Sequence, residues 1–256
     1  MTKVEKNFED IPSILKHASR KDAFEKNVNA RAYSFGKTLY KTKEAQKNLK
    51  EIYHLKCAFC EKKLLDADKH IEHYRSKNTY YWLAYSWDNL LLACGNCNRA
   101  KGKKFKTENS KVIYKNETFE EIHALGKSYD EIEKPFIIHP EKEDVLQYIK
   151  YDKEGKVSSE NPRVQHTIEE ACKLNREELV QKRLSVLNDF INQINKHYIL
   201  FTQEKSSLSR FKPDIETFIE KADKESEFYS FRYFILHNIE IFFENKNIQK
   251  ILISFW

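Results

Sequence analysis

Glycine and proline are scarce in this 256-residue chain, at five each. No glycine-rich loop able to cradle a nucleotide phosphate is present, so the chain alone is not expected to bind a nucleoside triphosphate. No run reaches 18 apolar residues, so no membrane span is expected. No basic-then-apolar leader opens the chain, which reads as no secretory signal. There is no internal repeat and no Ser-His-Asp arrangement. Disorder is also excluded, because 17 Phe and 14 Tyr give the chain enough apolar surface to fold. With few helix breakers, the expectation is an α+β, mostly helical protein. Lys and Arg number 45 against 39 Asp and Glu, a formal charge of +6. That balance fits a polyanionic partner, and equally an ordinary basic excess.

Cysteine is rare but patterned. Four of the five form two pairs, Cys57-Ala-Phe-Cys60 and Cys94-Gly-Asn-Cys97, and Cys172 stands alone in a helical context as a buried small hydrophobe. Each pair offers two thiolates on a tight turn, and four thiolates close a tetrahedral zinc site. A reducing compartment suits such a site better than disulfides. Between the pairs lies His70-Ile-Glu-His73-Tyr-Arg-Ser-Lys77, then Trp87-Asp-Asn89, and Asn98-Arg-Ala-Lys-Gly-Lys-Lys104 follows Cys97 directly. A module this short would have little core, so zinc is expected to supply much of its folding energy.

Around the module the chain reads in three parts. Residues 1–50 form an N-terminal helical extension, 51–110 the zinc module, and 111–256 a mainly helical C-terminal domain that docks a partner. A helix is expected over Lys43–Tyr53, and its exposed lysines (Lys41, Lys43, Lys47, Lys50) serve solubility. A strand is expected over Ile71–Tyr74, a helix from Cys97, and a hairpin joining Tyr148–Tyr151 to Val157 through Asp152-Lys-Glu-Gly155. Thr167-Ile-Glu-Glu170 and Asn175-Arg-Glu-Glu178 read as capping boxes, the second with Leu174 and Leu179 as a staple. The following helix carries Leu179, Arg183, Leu187, Phe190, Ile191, Ile194 and Tyr198 on one face. Pro213 starts another helix. The apolar end, Ile248–Trp256, docks on its own core or on a partner. His139 reads as structural or merely a surface residue, His70 as a surface residue, and Tyr74 and Tyr81 as packing.

Phosphodiester hydrolysis needs an activated water and a metal to take developing charge. Glu72 and Asn98 are oxygen donors suited to Mg²⁺ or Mn²⁺. A free histidine titrates near neutrality, so His73 is expected to take the proton of the attacking water. Adjacent strand residues point to opposite sides, so either a twist or bulge at Glu72-His73 is expected or one of the two groups must act around an edge. Asn89 can lock the loop that holds His73. Arg75, Lys77, Arg99, Lys101, Lys103 and Lys104 can engage backbone phosphates without reading bases. The competing reading is a structural zinc knuckle acting as an adaptor. The acid before the histidine and the amide after the last cysteine favour a nuclease.

On these residues the chain resembles the HNH, or ββα-metal, endonucleases with embedded zinc knuckles. His73, Asn89 and Asn98 match a His–Asn–Asn form of the family pattern. The resemblance implies His73 as general base, Glu72 and Asn98 as ligands of the catalytic metal, Asn89 as the structural asparagine, and Cys57, Cys60, Cys94 and Cys97 as zinc ligands. Ile71-Glu-His-Tyr-Arg-Ser-Lys77, Tyr80-Tyr-Trp-Leu-Ala-Tyr85, Trp87-Asp-Asn-Leu-Leu-Leu92 and Cys97-Asn-Arg-Ala-Lys-Gly102 are similar to the PtuB family, the nuclease subunits of Septu anti-phage systems. The similarity covers roughly residues 43–106, and more weakly the helices around 167–198. It implies a prokaryotic, cytoplasmic effector with an ABC-type ATPase (PtuA-like) as partner. It also admits a retron reverse transcriptase and its DNA as partners. DNA is the implied substrate, with structured RNA such as tRNA as the alternative. Ser76 stands where the family commonly has proline, which loosens the turn after the strand without removing a catalytic group.

Overall fold

The computed structural model describes residues 1–36 and 38–255. Two short antiparallel hairpins are set among helices, an α+β fold that is mostly helical. After an extended strap and a 3₁₀ turn over Ser13–Lys16, α1 runs Ala18–Ala30 through a stretch whose pattern is mixed in sequence. Next, α2 (Lys43–Ile52) starts at Thr42, whose hydroxyl accepts from the Ala45 amide at 3.1 Å. Ala45 and Leu49 face inward from it.

The module follows as β1 (His70–His73), β2 (Leu90–Ala93) and α3 (Gly95–Lys101). The strands pair antiparallel, with Ile71 opposite Leu92, Glu72 opposite Leu91 and His73 opposite Leu90. The register is in step at every pair, so the expected bulge is absent. The chain leaves the pleat directly after His73, where β1 ends. That lets two neighbouring side chains serve one site without a bulge.

The expectation of a module nearly without core is overturned. Trp82, Trp87, Tyr53, Tyr74, Tyr80, Tyr85 and Leu90 to Leu92 are all buried in a single cluster that extends from Met1 to Leu252. The extended N-terminus supplies part of the cover. Buried Lys6 donates to the carbonyls of Trp87 (2.7 Å) and Leu90 (2.8 Å) and pairs with Glu141 at 3.1 Å.

Beyond the module come α4 (Gly126–Glu133) and a second hairpin of β3 (Lys150–Tyr151) and β4 (Val157–Ser158). Gly155 turns that hairpin at φ +74°, where a Cβ would also press on the Val180 carbonyl at 3.2 Å. Next is α5 (Pro162–His166), capped by Asn161 rather than by Thr167. Thr167 continues the helix into a wider turn, buried, accepting from the Ile138 amide and donating to the Arg163 carbonyl. Pro162, at the start of the helix, sets its beginning five residues before the expected box.

The 26-residue α6 (Glu177–Thr202) buries Leu179, Arg183, Leu187, Phe190 and Ile194 along the expected face. Asn175 does not cap it. Its side chain grips the main chain of Val157 instead, accepting at 2.8 Å and donating at 2.8 Å. The chain ends with α7 (Lys212–Glu220), α8 (Tyr229–His237), α9 (Ile239–Phe242) and α10 (Lys246–Ile253). Ile248 and Leu252 of α10 are buried, so the apolar tail docks on its own chain, and Trp256 lies outside the described residues. Cys172 is buried as expected, and His139 is buried too, which removes the surface alternative and leaves the structural one.

Candidate active site and metal centre

The hairpin and α3 bring Glu72, His73 and Asn98 to one cavity of about 220 Å³, which Lys77 and Lys103 also line. His73 closes β1 and is almost fully buried. Its Nε2 lies 3.0 Å from the Ala84 carbonyl. A carbonyl only accepts, so Nε2 carries the hydrogen and Nδ1 keeps a lone pair. Burial, followed by the charges of Lys77, Lys101 and Lys41, pushes the imidazole down to about 3, against the opposing pull of that carbonyl. The ring is therefore neutral near pH 7, the form a proton acceptor needs. Tyr40 packs edge-on against it, with ring centres 4.5 Å apart at 75°.

Asn89 holds the loop that leaves β1. Its Oδ1 accepts from the Arg75 amide at 2.7 Å, and its Nδ2 donates to the carbonyls of Arg75 (3.1 Å) and Leu83 (3.2 Å). The Asn89 carbonyl takes the Tyr74 amide at 2.9 Å. An amide is suited to this task, since one side chain accepts and donates to the same strap.

Glu72 Oε1 accepts from Lys101 Nζ at 2.8 Å, and the same ammonium donates to the His73 carbonyl at 2.6 Å. Lys101 is fully buried, so it positions Glu72 and is not a phosphate contact. Arg75 needs the same correction. At 2% exposure it reaches Glu133 at 2.9 Å and Asp130 at 2.6 Å and sits inside the core. The other expected phosphate contacts differ in freedom. Lys77 is half-buried over the rings of Tyr33 and Tyr40, at 5.4 and 5.5 Å. Lys103 is exposed at the cavity rim. Lys104 is exposed and donates to the Glu170 carbonyl at 2.7 Å. Arg99, exposed on α3, bonds Asn96. His70 is half-buried beside Gly95 at the start of β1, less open than expected.

The donor set of the cavity fits a hard divalent ion. Among the described residues, the Glu72 carboxylate has Lys101 as its hydrogen-bonding partner, at one oxygen, and the half-buried Asn98 side chain makes no hydrogen bond. A carboxylate oxygen and an amide oxygen facing a common space match what such ions take.

A second centre lies at the start of α3, where Cys94 and Cys97 fall. The sulfurs of Cys57, Cys60, Cys94 and Cys97 all fall within 4.8 Å of one another, and all four residues are buried. Cys60 and Cys94 are 3.8 Å apart, the separation two thiolates adopt on one tetrahedral zinc. Four buried sulfurs of this geometry fit a structural zinc. Sequence reasoning missed three neighbours of the two centres: Tyr40, Lys101 in its true role, and Arg176, whose guanidinium reaches the sulfurs of Cys60, Cys94 and Cys97. Local spacing carries no sign of these contacts, since Arg176 lies 79 residues beyond Cys97.

Comparison with known proteins agrees with this geometry. Residues 57–104 match the family described as HNH endonuclease. The Septu protein PtuB of Bacillus mycoides (strain KBAB4) is 27% identical over 188 residues, covering 67% of this chain and 59% of that protein. The Septu protein PtuA of the same strain is 25% identical over 206 residues, covering 75% of this chain and 26% of that protein. Septu protein PtuB of Bacillus thuringiensis is 41% identical over 56 residues, 21% of this chain and 22% of that protein. The chain thus carries an HNH module and resembles PtuB. It spans less than two thirds of the length of these relatives.

Proposed function

We propose that this chain is a metal-dependent HNH endonuclease that hydrolyses DNA phosphodiester bonds as the effector of an anti-phage complex with an ABC-type ATPase. The observation that carries the reading is the convergence of Glu72, His73 and Asn98 on one cavity with two lysines at its wall. His73 takes the proton of the attacking water at Nδ1, while Nε2 stays on the Ala84 carbonyl. Glu72 and Asn98 would hold Mg²⁺ or Mn²⁺, which supplies stabilisation of charge on the phosphate and leaving oxygen. Lys101 fixes Glu72, and Asn89 fixes the loop behind His73. Lys77 and Lys103 hold the phosphate backbone without reading bases. Sequence preference is expected to be low or lent by a partner.

The ATPase partnership draws on the likeness to both PtuB and PtuA. Three quarters of that PtuA lies outside its alignment with this chain, so the segment shared with this chain occurs there within a longer one. For docking, the C-terminal helices offer an apolar groove lined by Ile219, Leu236, Ile239 and Ile253.

The test is cleavage by the purified protein with Mg²⁺ or Mn²⁺, with and without the ATPase, on plasmid DNA and total tRNA in parallel. The expected result is plasmid cleavage that His73→Ala lowers by at least ~10²-fold. Preferential cutting of tRNA would replace DNA with structured RNA as substrate. A complex that forms and cuts neither polymer would make the chain a zinc-bearing adaptor.

A further inference from the structure

The beginning of α6 lies against the four-cysteine centre. Arg176, the residue before its first turn, directs Nη1 to Cys97 Sγ at 3.5 Å. Its Nη2 reaches Cys94 Sγ at 3.7 Å and Cys60 Sγ at 3.8 Å. Nη1 also meets the carbonyls of Cys172 (3.4 Å) and Lys173 (3.3 Å), which hold the guanidinium from behind. Two residues on, Glu178 accepts from Asn96 Nδ2 at 2.6 Å and pairs with Lys62 at 3.5 Å. One helix start therefore clasps both cysteine loops, since Asn96 lies within one pair and Lys62 follows the other.

The charge balance gives this contact a purpose. Four thiolates around one Zn²⁺ carry a net charge of about −2. A buried charge of that size is costly unless a partner offsets it. A guanidinium is planar and presents several N–H groups in a fixed fork, so it reaches separated sulfurs from two nitrogens at once, whereas an ammonium offers its donors from a single point.

We propose that Arg176 is the counter-cation of the zinc centre, and that the metal and the start of α6 hold one another in place. This rests on reading the four cysteines as a zinc site. Arg176 is a positioning residue here and touches no reacting atom. By linkage, whatever Arg176 adds to zinc retention, zinc returns to the docking of α6. The nuclease module and the C-terminal helices are then coupled through the metal.

The experiment uses the full-length protein. Zinc content is measured first, then zinc transfer to a chromogenic chelator for the native protein, Arg176→Gln and Arg176→Lys. Each is also loaded with Co²⁺, and its sulfur-to-metal charge-transfer band recorded. Arg176→Gln is expected to release zinc ~10–100-fold faster and to move the cobalt band to longer wavelength, as thiolates lose N–H donors. Arg176→Lys keeps the charge but not the fork, so it should fall between. Should the glutamine variant fail to fold, the lysine variant decides by the same two readouts. A folded variant that keeps the native release rate and an unshifted band overturns the proposal. A native protein that holds no zinc overturns the zinc reading itself, and the Arg176 proposal with it.

Discussion

Arg75 makes two ion pairs where water scarcely reaches. Glu133, fully buried, takes its Nε, and also takes the Tyr80 hydroxyl at 2.5 Å and the Val112 amide at 2.9 Å. Removing the guanidinium leaves a buried carboxylate without its cation, a change that costs about 3–5 kcal/mol. Arg75→Ala should therefore lower the urea midpoint strongly. A surface phosphate contact would instead leave stability unchanged and weaken nucleic-acid binding, so denaturant titration separates the two roles. His123 supports a second residue-scale prediction, independent of any metal. Its Nδ1 accepts from the Trp87 amide at 3.1 Å. Burial, and then Lys16, push it down from 6.5 to about 4, with Glu120 pulling the other way. The unfolded chain takes up a proton below about pH 6.5 and the folded chain does not until about pH 4, so stability is lost as pH falls across that window. The loss amounts to about 2 kcal/mol between pH 7 and pH 5. Comparing unfolding at the two pH values, His123→Gln should show that much less pH dependence than the native protein. An equal slope in both proteins would exclude His123 as its source.

At the scale of elements, the tail and the Asn175 corner show how much local pattern can say. The spacing of Leu179, Leu187, Phe190 and Ile194 marked a helix face because helical period and burial repeat together. The four cysteines and the Glu72, His73 and Asn98 trio were legible for a related reason, since a hairpin followed by a helix closes them over a short span of chain. The capping boxes misled, because Thr and Asn side chains serve any nearby main-chain group, and here tertiary partners won them. Asn175 bonds the Val157 amide, the Val157 carbonyl and Glu169, which ties β4 to the approach of α6. Asn175→Ala should cost about 1–3 kcal/mol by orphaning main-chain groups, and hydrogen exchange should rise at Val157. A lost helix cap would instead raise exchange in the first turn of α6, which hydrogen-exchange mass spectrometry resolves. In α10, Leu252 is buried and Ile253 is 57% exposed. Leu252→Ala should cost about 2–5 kcal/mol. Ile253→Asp should change stability by under about 0.5 kcal/mol while weakening co-purification with the proposed ATPase partner. Full co-purification by Ile253→Asp would remove this rim from the docking surface.

At the scale of the whole molecule, the HNH module is not a bead on a string. Tyr74 donates to the Ile137 carbonyl at 2.7 Å, Trp82 Nε1 meets the Tyr129 hydroxyl at 3.2 Å, and Lys6 ties the N-terminal strap to β2. Such contacts join residues 47 to 84 positions apart. No local period encodes them, which is why the basic residues Arg75 and Lys101 were read as surface charge. What the hydrophobic effect contributes to the module depends on area covered by the segments before and after it. Zinc can tie the two cysteine loops together, but it cannot shield Trp82, Trp87 and Tyr80 from water. A fragment of residues 51–110 loaded with zinc should therefore bind a hydrophobic dye, give weak near-ultraviolet dichroism and melt broadly, as loosely packed states do. The full chain should melt in one sharp transition. Were the fragment to melt as sharply as the full chain and bind no dye, zinc alone would suffice to fold the module, and the surrounding helices would be free to act as a separate docking unit. If it behaves as expected, substitutions in α4 or in the N-terminal strap should lower the proposed nuclease activity without touching the cavity, because the geometry of His73 and Glu72 is set by a core the whole chain builds.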